Sequence, residues 1–157
     1  MKNKKRLRHL AFALPCIMLT GCATLSGSRD SYFACSYNTV WETTLDTMEG
    51  YSITSQNKDK GTIETAWLEM EGKKRPYGLF RREGFGNLER ARLTVAIKKV
   101  NDVTSVSVLE TRQRWHAQGG ATSQAARWWS IEPSEEVLDE ITTKLNDRLK
   151  EKGCAGT

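Results

Sequence analysis

Cys22 is the residue whose position in the chain points most directly to chemistry. It directly follows Leu19-Thr20-Gly21 and ends a leader of three parts. Residues 2–8 carry five Lys and Arg side chains and no acidic one, and residues 10–19 form an apolar run. This run is too short to cross a bilayer, and a basic start followed by apolar and then small residues is typical of an export signal. A thiol at the end of such a signal is available for covalent modification.

The run Leu19-Thr20-Gly21-Cys22 resembles the lipobox of bacterial lipoproteins, in which leucine, a small or hydroxyl residue and glycine precede a cysteine. The resemblance implies that residues 1–21 are removed as a signal peptide and that the Cys22 sulfur receives a covalent lipid. We expect no other cofactor. Ala23 follows, where lipoproteins held at the inner membrane tend to carry aspartate, so the resemblance implies a periplasm-facing, lipid-anchored protein of the outer membrane. The alternative is an ordinary secretory signal with a chance cysteine; Cys16 is a poorer candidate because Pro15 precedes it.

The net charge of the mature chain argues against a nucleic-acid partner. The full chain has 24 Lys and Arg and 19 Asp and Glu, but the leader holds five of the basic residues and none of the acidic ones. Removal of the leader therefore leaves 19 charges of each sign. A neutral chain has no long-range field to attract a polyanion, so we expect no nucleic acid among its partners.

Cys35 and Cys154 form the second cysteine-based prediction. An export signal places both in an oxidising compartment, where an even pair usually bonds, and they flank the folded part of the chain. We predict a disulfide between them; two free thiols are the alternative. A metal site is not expected, because the mature chain has one histidine, His116, and no close cysteine pair.

The patterns of apolar residues predict one α+β domain. Residues 22–34 are expected to be the lipidated cysteine and a flexible tether, and residues 35–157 a single globular domain. The fold class that follows is a curved antiparallel sheet of about four strands, covered by a long C-terminal helix and a shorter N-terminal helix. The predicted helices are 38–49 and 133–150, and the predicted strands are 51–55, 62–70, 89–100 and 103–115.

Two elements have particularly clear patterns. In the strand 89–100, Ala91, Leu93, Val95 and Ile97 alternate with polar residues, which predicts one buried face. In the helix 133–150, a stripe of apolar residues recurs at helical spacing and predicts the face that covers the sheet. That stripe consists of Leu138, Ile141, Leu145 and Leu149.

Two long loops carry the residues predicted to bind a partner. The segments 71–88 and 116–130 are read as loops that combine arginine with aromatic residues, the types that dominate protein interfaces. The first is equally consistent with a solvated tip. In the second, one of two adjacent tryptophans is expected to pack under the C-terminal helix and the other to be exposed. The candidate partner-binding residues are Tyr77, Phe80, Arg81, Arg82, Phe85, Arg127, Trp128 and Trp129.

The order of these motifs resembles the BamC (NlpB) lipoprotein family, and short lipoproteins that look like a single BamC domain, over residues 36–150. The resemblance implies a helix-grip fold and an accessory role beside the machine that inserts β-barrels into the outer membrane. The chain departs from BamC in having one domain instead of two and no long N-terminal segment for contact with a partner lipoprotein. The matching stretches are Val40-Trp41-Glu42-Thr43-Thr44-Leu45, Gly61-Thr62-Ile63-Glu64-Thr65-Ala66-Trp67 and Arg112-Gln113-Arg114-Trp115.

No set of residues with the spacing of a catalytic site is present in the sequence, so we expect a protein that is not an enzyme. We predict a structural or assembly accessory of the cell envelope that acts through contact with another envelope protein. The alternative is a module that holds an apolar or glycan ligand between sheet and helix. That alternative needs a cavity lined by Trp41, Trp67 and the apolar stripe of the C-terminal helix.

Overall fold

The computed structural model describes residues 27–72, 76–77, 82–83, 88–116 and 126–156. Within these residues the fold is α+β, with a seven-stranded antiparallel sheet, a separate two-stranded sheet and two helices. The elements are β1 (Ser28–Phe33), α1 (Tyr37–Thr47), β2 (Ile53–Asn57), β3 (Thr62–Thr65), β4 (Leu68–Glu71), β5 (Pro76–Tyr77), β6 (Arg82–Glu83), β7 (Leu88–Val100), β8 (Val103–His116), β9 (Arg127–Ile131) and α2 (Glu135–Glu151).

The long hairpin of β7 and β8 forms the centre of the main sheet. Strand β8 pairs along one side with β7, and its other side pairs first with β1 and then with β9. Strand β7 likewise pairs with β3 and, nearer its beginning, with β4, and β2 completes this side by pairing with β3. The two edges of the sheet are therefore formed by β1 and β9 on one side and by β2 and β4 on the other.

The hydrophobic core lies between one face of this sheet and the two helices. On the sheet side, the predicted alternation of β7 is confirmed, because Leu93, Val95 and Ile97 are buried. Helix α1 contacts β7 and α2, and α2 contacts β1 and β8, so both helices cover the same face. The predicted stripe of α2 is confirmed in full, since its four members are all buried: Leu138, Ile141, Leu145 and Leu149.

Helix α1 is held by a side-chain cap and by buried threonines. The Ser36 hydroxyl accepts a hydrogen bond from the Thr39 backbone N–H at 3.2 Å, which satisfies one N–H group of the first turn. Thr43, Thr44 and Thr47 are buried, and each hydroxyl donates to the carbonyl four residues earlier. These bonds allow hydroxyl groups to face the core without an unsatisfied donor.

The prediction of about four strands is too low, since seven strands belong to the main sheet within the described residues. The predicted tether over 22–34 is wrong for Ser28–Phe33, which forms β1 on the edge of β8. The predicted loop over 116–130 is wrong for Arg127–Ile131, which forms β9. The single strand predicted over 62–70 is divided into β3 and β4.

The two ends of the described domain are joined covalently. Cys35 and Cys154 form a disulfide, with Cα atoms 5.4 Å apart, and this is the pairing that the sequence predicts. The adjacent backbone continues the contact, because the Ala34 N–H donates to the Ala155 carbonyl at 3.0 Å. Among the described residues, no helix has the length and apolar character required to cross a membrane.

Candidate binding site

An interruption between β3 and β4 creates an apolar opening at one edge of the sheet. The sequence predicts that Thr65 and Trp67 share a face, but the backbone leaves the strand conformation at Ala66 and Trp67. The Ala66 N–H donates to the Ser52 carbonyl at 2.7 Å, so this hydrogen bond points away from β7. The register then resumes with Leu68 opposite Ala91, so Leu68 lies on the helix-covered face. The helices do not extend over this part of the face, so the Leu68 side chain remains 63% exposed.

The space beside Leu68 is an apolar cavity that we call the β4 hollow. It has a volume of about 250 Å³ and is bounded by β4, the turn after α1 and the beginning of α2. This is slightly below the usual size of small-molecule sites, so the hollow suits a small apolar group or an apolar side chain of another protein. Of the predicted cavity lining, Trp67 is present, whereas Trp41 and the apolar stripe of α2 pack in the closed core. The apolar lining comes from Tyr51, Trp67, Leu68, Met70, Ala91 and Val137.

Polar groups also lie in the lining of the hollow, among them Tyr51, Arg92, Glu110 and Glu140. Burial raises the pKa of Tyr51, and the nearby charge of Glu140 raises it further, so the phenol keeps its proton and can donate a hydrogen bond. Glu110 is buried, and its carboxylate accepts a hydrogen bond from the Ser134 backbone N–H at the start of α2. The hollow therefore combines an apolar wall with acceptor groups and a hydroxyl donor.

Next to the hollow, an ionic cluster lies under a larger polar cleft of about 760 Å³. Glu89 is 4% exposed and accepts hydrogen bonds from Arg114 and, at 3.0 Å, from the Nε of Arg112. Burial opposes ionisation of Glu89, but the hydrogen bonds and charges of Arg114 and Arg112 outweigh burial and lower its pKa. Arg112 also lies within 3.9 Å of Glu110 and donates to the Met70 sulfur at 3.1 Å. The cluster thus links β4, β7 and β8 beside the opening.

Glu89→Gln is expected to lower the free energy of unfolding at neutral pH by about 1–3 kcal/mol, because two largely buried arginines lose their charged acceptor. The pKa of Glu89 is held below its ordinary value of 4.5, so the ionised carboxylate contributes its full share of stability above pH 4.5. This contribution is lost as the pH falls through the lower folded value. Denaturant unfolding over a pH series should therefore show a shallower acid decline in E89Q. Glu69→Gln, at an exposed position of β4, should keep the wild-type slope; equal slopes in E89Q and wild type would contradict this assignment.

On the opposite face of the sheet, arginine and tryptophan side chains stack across the strands. The Arg90 guanidinium lies 4.4 Å from the Trp67 ring centre and 4.2 Å from that of Trp128. It also donates two hydrogen bonds to the Gln113 side chain, and Trp128 meets Trp115 edge to face at 5.4 Å. The expectation that one of the adjacent tryptophans packs under the C-terminal helix is therefore wrong for Trp128, which lies on the face without helices.

The structure places the predicted partner-binding residues in three different settings. Cys22, Phe80, Arg81 and Phe85 lie outside the described residues. Tyr77 and Arg82 are opposite each other in the short β5–β6 pair. At the other edge of the main sheet, Trp129 is 39% exposed, and the Arg127 guanidinium lies 3.9 Å from the centre of its ring.

The candidate site was not predicted, because its determinants lie in the geometry of the strands. Strand alternation through residues 62–70 assigns Leu68 to the polar face, whereas the interruption at Ala66 and Trp67 turns it to the other face. The remaining signal in the sequence is the presence of Leu68 and Met70 among acidic residues just before the basic and aromatic loop. Such a pattern marks a strand end but not the cavity beside it.

Metal chemistry has no evident site in the described part of the chain, where no three His, Cys, Asp or Glu side chains come together in a way that could hold an ion. Comparison with protein-family models and with curated proteins finds no match to this chain. The fold and the hollow define a small α+β domain with an apolar cavity at one edge of its sheet.

Proposed function

We propose that this protein is a lipid-anchored accessory of the bacterial outer membrane that faces the periplasm and acts by binding another envelope protein, without a catalytic step. The leader that ends at Cys22 supports the anchor and the location. Two helices on one face of an antiparallel sheet suit a helix-grip-like domain related to BamC. Because folds host many functions, the proposal of protein contact depends on the surface and not on the fold.

The observation that carries this proposal is the exposed Leu68 at the mouth of the β4 hollow. The Leu68 side chain is continuous with the apolar lining of the hollow, and it is contiguous apolar surface, more than a single exposed side chain, that marks contact sites. Strand β4 ends at Glu71 and β7 begins at Leu88, so the basic and aromatic segment between them begins and ends beside the hollow. The hollow is the proposed contact site, which an apolar side chain of the partner enters.

Leu68→Glu is expected to reduce crosslinking to one specific envelope partner at least tenfold, because a carboxylate at the mouth of the hollow must be desolvated when the partner binds. The measurement is a crosslinking pulldown from intact membranes, with circular dichroism to verify the fold. Val100→Glu is the matched control, since Val100 is also an exposed apolar residue but lies at the tip of the β7–β8 hairpin. Arg81→Ala combined with Arg82→Ala tests the adjoining segment in the same assay.

An unchanged set of crosslinked partners in L68E and in the double arginine variant would contradict the protein-contact proposal. The second candidate function, a binding module for an apolar or glycan ligand, would then take its place. The observation that favours it is the location of the hollow between sheet and helix, with Trp67 in its wall and the Tyr51 hydroxyl as donor. The apolar lining favours an apolar ligand over a glycan, and L68E should then lose a small molecule that copurifies with the wild type.

A further inference from the structure

The direction in which the chain enters the domain defines the end of the sheet that is nearest to Cys22. Because β1 is antiparallel to β8, it begins with Ser28 opposite Leu109 and ends with Phe33 opposite Thr104. The chain therefore enters β1 at the end of the sheet where β9 pairs with the last residues of β8.

Gly27 fixes this entry point against the beginning of α2. Its φ is +111°, and an added Cβ would lie 2.3 Å from the Cγ of Pro133, so only glycine fits there. Ile131, at the end of β9, is opposite Arg112 of β8. Ser28, at the start of β1, is opposite a residue three positions earlier in β8. At about 3.4 Å per residue, β9 begins to flank β8 only about 10 Å beyond the start of β1.

The distance between the proposed lipid and this end of the sheet is limited by chain length. Gly27 is five positions after Cys22 in the sequence. A fully extended chain covers at most about 3.6 Å per residue, so the Cys22 sulfur can be no more than about 18–20 Å from the entry point. A lipid on Cys22 therefore holds this end of the sheet, and not the hairpin tip at the other end, close to the membrane surface.

The side chains at this end have the composition of a membrane interface. Four of the chain's five tryptophans are here, and three of them are stacked with arginines: Trp67 and Trp128 with Arg90, and Trp129 with Arg127. Among these, Trp129 is the large apolar side chain that is most open to solvent. Tryptophan rings settle at the level of lipid headgroups, and arginine extends its charge toward the phosphates while its stem stays apolar.

We infer that the Arg127–Trp129 pair is a second membrane contact, which seats this end of the sheet in the headgroup layer next to the lipidated Cys22. This inference rests on the lipid anchor in the proposed function. Glu132, Glu135 and Glu136 are exposed just beyond β9, and their charge opposes deep insertion. The contact is therefore shallow. It orients the domain with this end of the sheet toward the membrane. The β4 hollow is at the opposite edge of the sheet but at the same end, because β4 pairs with the beginning of β7 and β9 with the end of β8.

The test uses the natively processed and lipidated protein reconstituted in phosphatidylethanolamine vesicles that contain a phosphatidylcholine brominated in the upper acyl chain. Bromine quenches tryptophan fluorescence at short range, so a shallowly seated Trp129 is quenched. Trp129→Phe is expected to lose most of the quenching seen in the wild type. Trp128→Phe is the matched control, because its side chain stacks on Arg90 on the other face of the sheet, and it should keep that quenching.

The possible results separate this inference from the proposal that it rests on. A wild-type protein that does not float with the vesicles would refute the anchor, and the second contact with it. Flotation of the wild type with equal quenching in W129F, or with no quenching at all, would refute only the second contact. A photo-crosslinker at position 129 that captures a protein, while bromolipid leaves the wild type unquenched, would assign the pair to a protein partner instead.

Discussion

Replacing Ile141 with alanine is expected to lower the free energy of unfolding by about 2–5 kcal/mol, and Leu145→Ala should have an effect of the same size. Both side chains are buried in the middle of the α2 stripe, between that helix and the sheet. Alanine removes the apolar contacts and leaves a cavity that the surrounding β strands fill only in part. A loss of this size is a large share of the stability of a small domain, which is about 5–15 kcal/mol in total.

Asp147→Ala is the matched control, because Asp147 lies on the exposed side of the same helix. Alanine has a higher helix propensity than aspartate, so this change should alter stability by less than about 0.5 kcal/mol. The three variants are compared by equilibrium denaturant unfolding under one condition. Small and equal changes at all three positions would show that α2 presents a different face to the sheet.

The elements that could be predicted from sequence are those in which one repeating pattern covers the whole element. Leu138 and Leu149 belong to an unbroken helical repeat, and Val95 and Ile97 to an unbroken strand alternation. Each pattern specifies the buried face without information from the rest of the chain. The disulfide pairing also followed from simple constraints, since two cysteines remained after Cys22 was assigned to the lipid.

Strand β1 was missed because two of its three inward residues are polar. In β1, Arg29, Ser31 and Phe33 face the helices, and Arg29 meets Glu135 and Asp139 of α2 in ion pairs and not in apolar contacts. A sequence such as Ser28–Phe33 therefore resembles a solvated linker. Its strand conformation depends on pairing with β8, which is about 75 residues away in the chain.

Glu89 shows a second limit of reading the sequence alone. A glutamate at the beginning of a strand is usually solvated, yet Glu89 is buried because Arg112 and Arg114 reach it from β8. The register of β7 against β8 brings these charges together, and a sequence pattern does not specify which residues face one another across a hairpin. The polar cleft and the β4 hollow both depend on that register and on the break at Trp67.

The proposed anchor and the proposed contact site lie at opposite edges of the main sheet. The chain from Cys22 enters at the β1 and β9 edge, while Leu68 lies on the β4 edge, with β7 and β8 between them. Neighbouring strands are about 4.8 Å apart, so roughly 14 Å separates the two edges. Because β4 pairs with the beginning of β7 and β9 with the end of β8, both lie at the same end of the sheet, and a partner that binds the β4 hollow would contact the domain close to the membrane surface.

Cys22→Ser is expected to abolish membrane anchoring, because serine offers no thiol for the lipid and the mature domain is neutral. The central claim, that this is a lipid-anchored envelope protein, is tested most directly by the intact mass and membrane fractionation of this variant, with Cys16→Ser as control. We predict that the wild type and C16S fractionate with the outer membrane at the mass of residues 22–157 plus the attached lipid. We predict that C22S leaves the membrane fraction and lacks that added mass. A C22S protein that stays membrane-bound at the same lipidated mass would contradict the account.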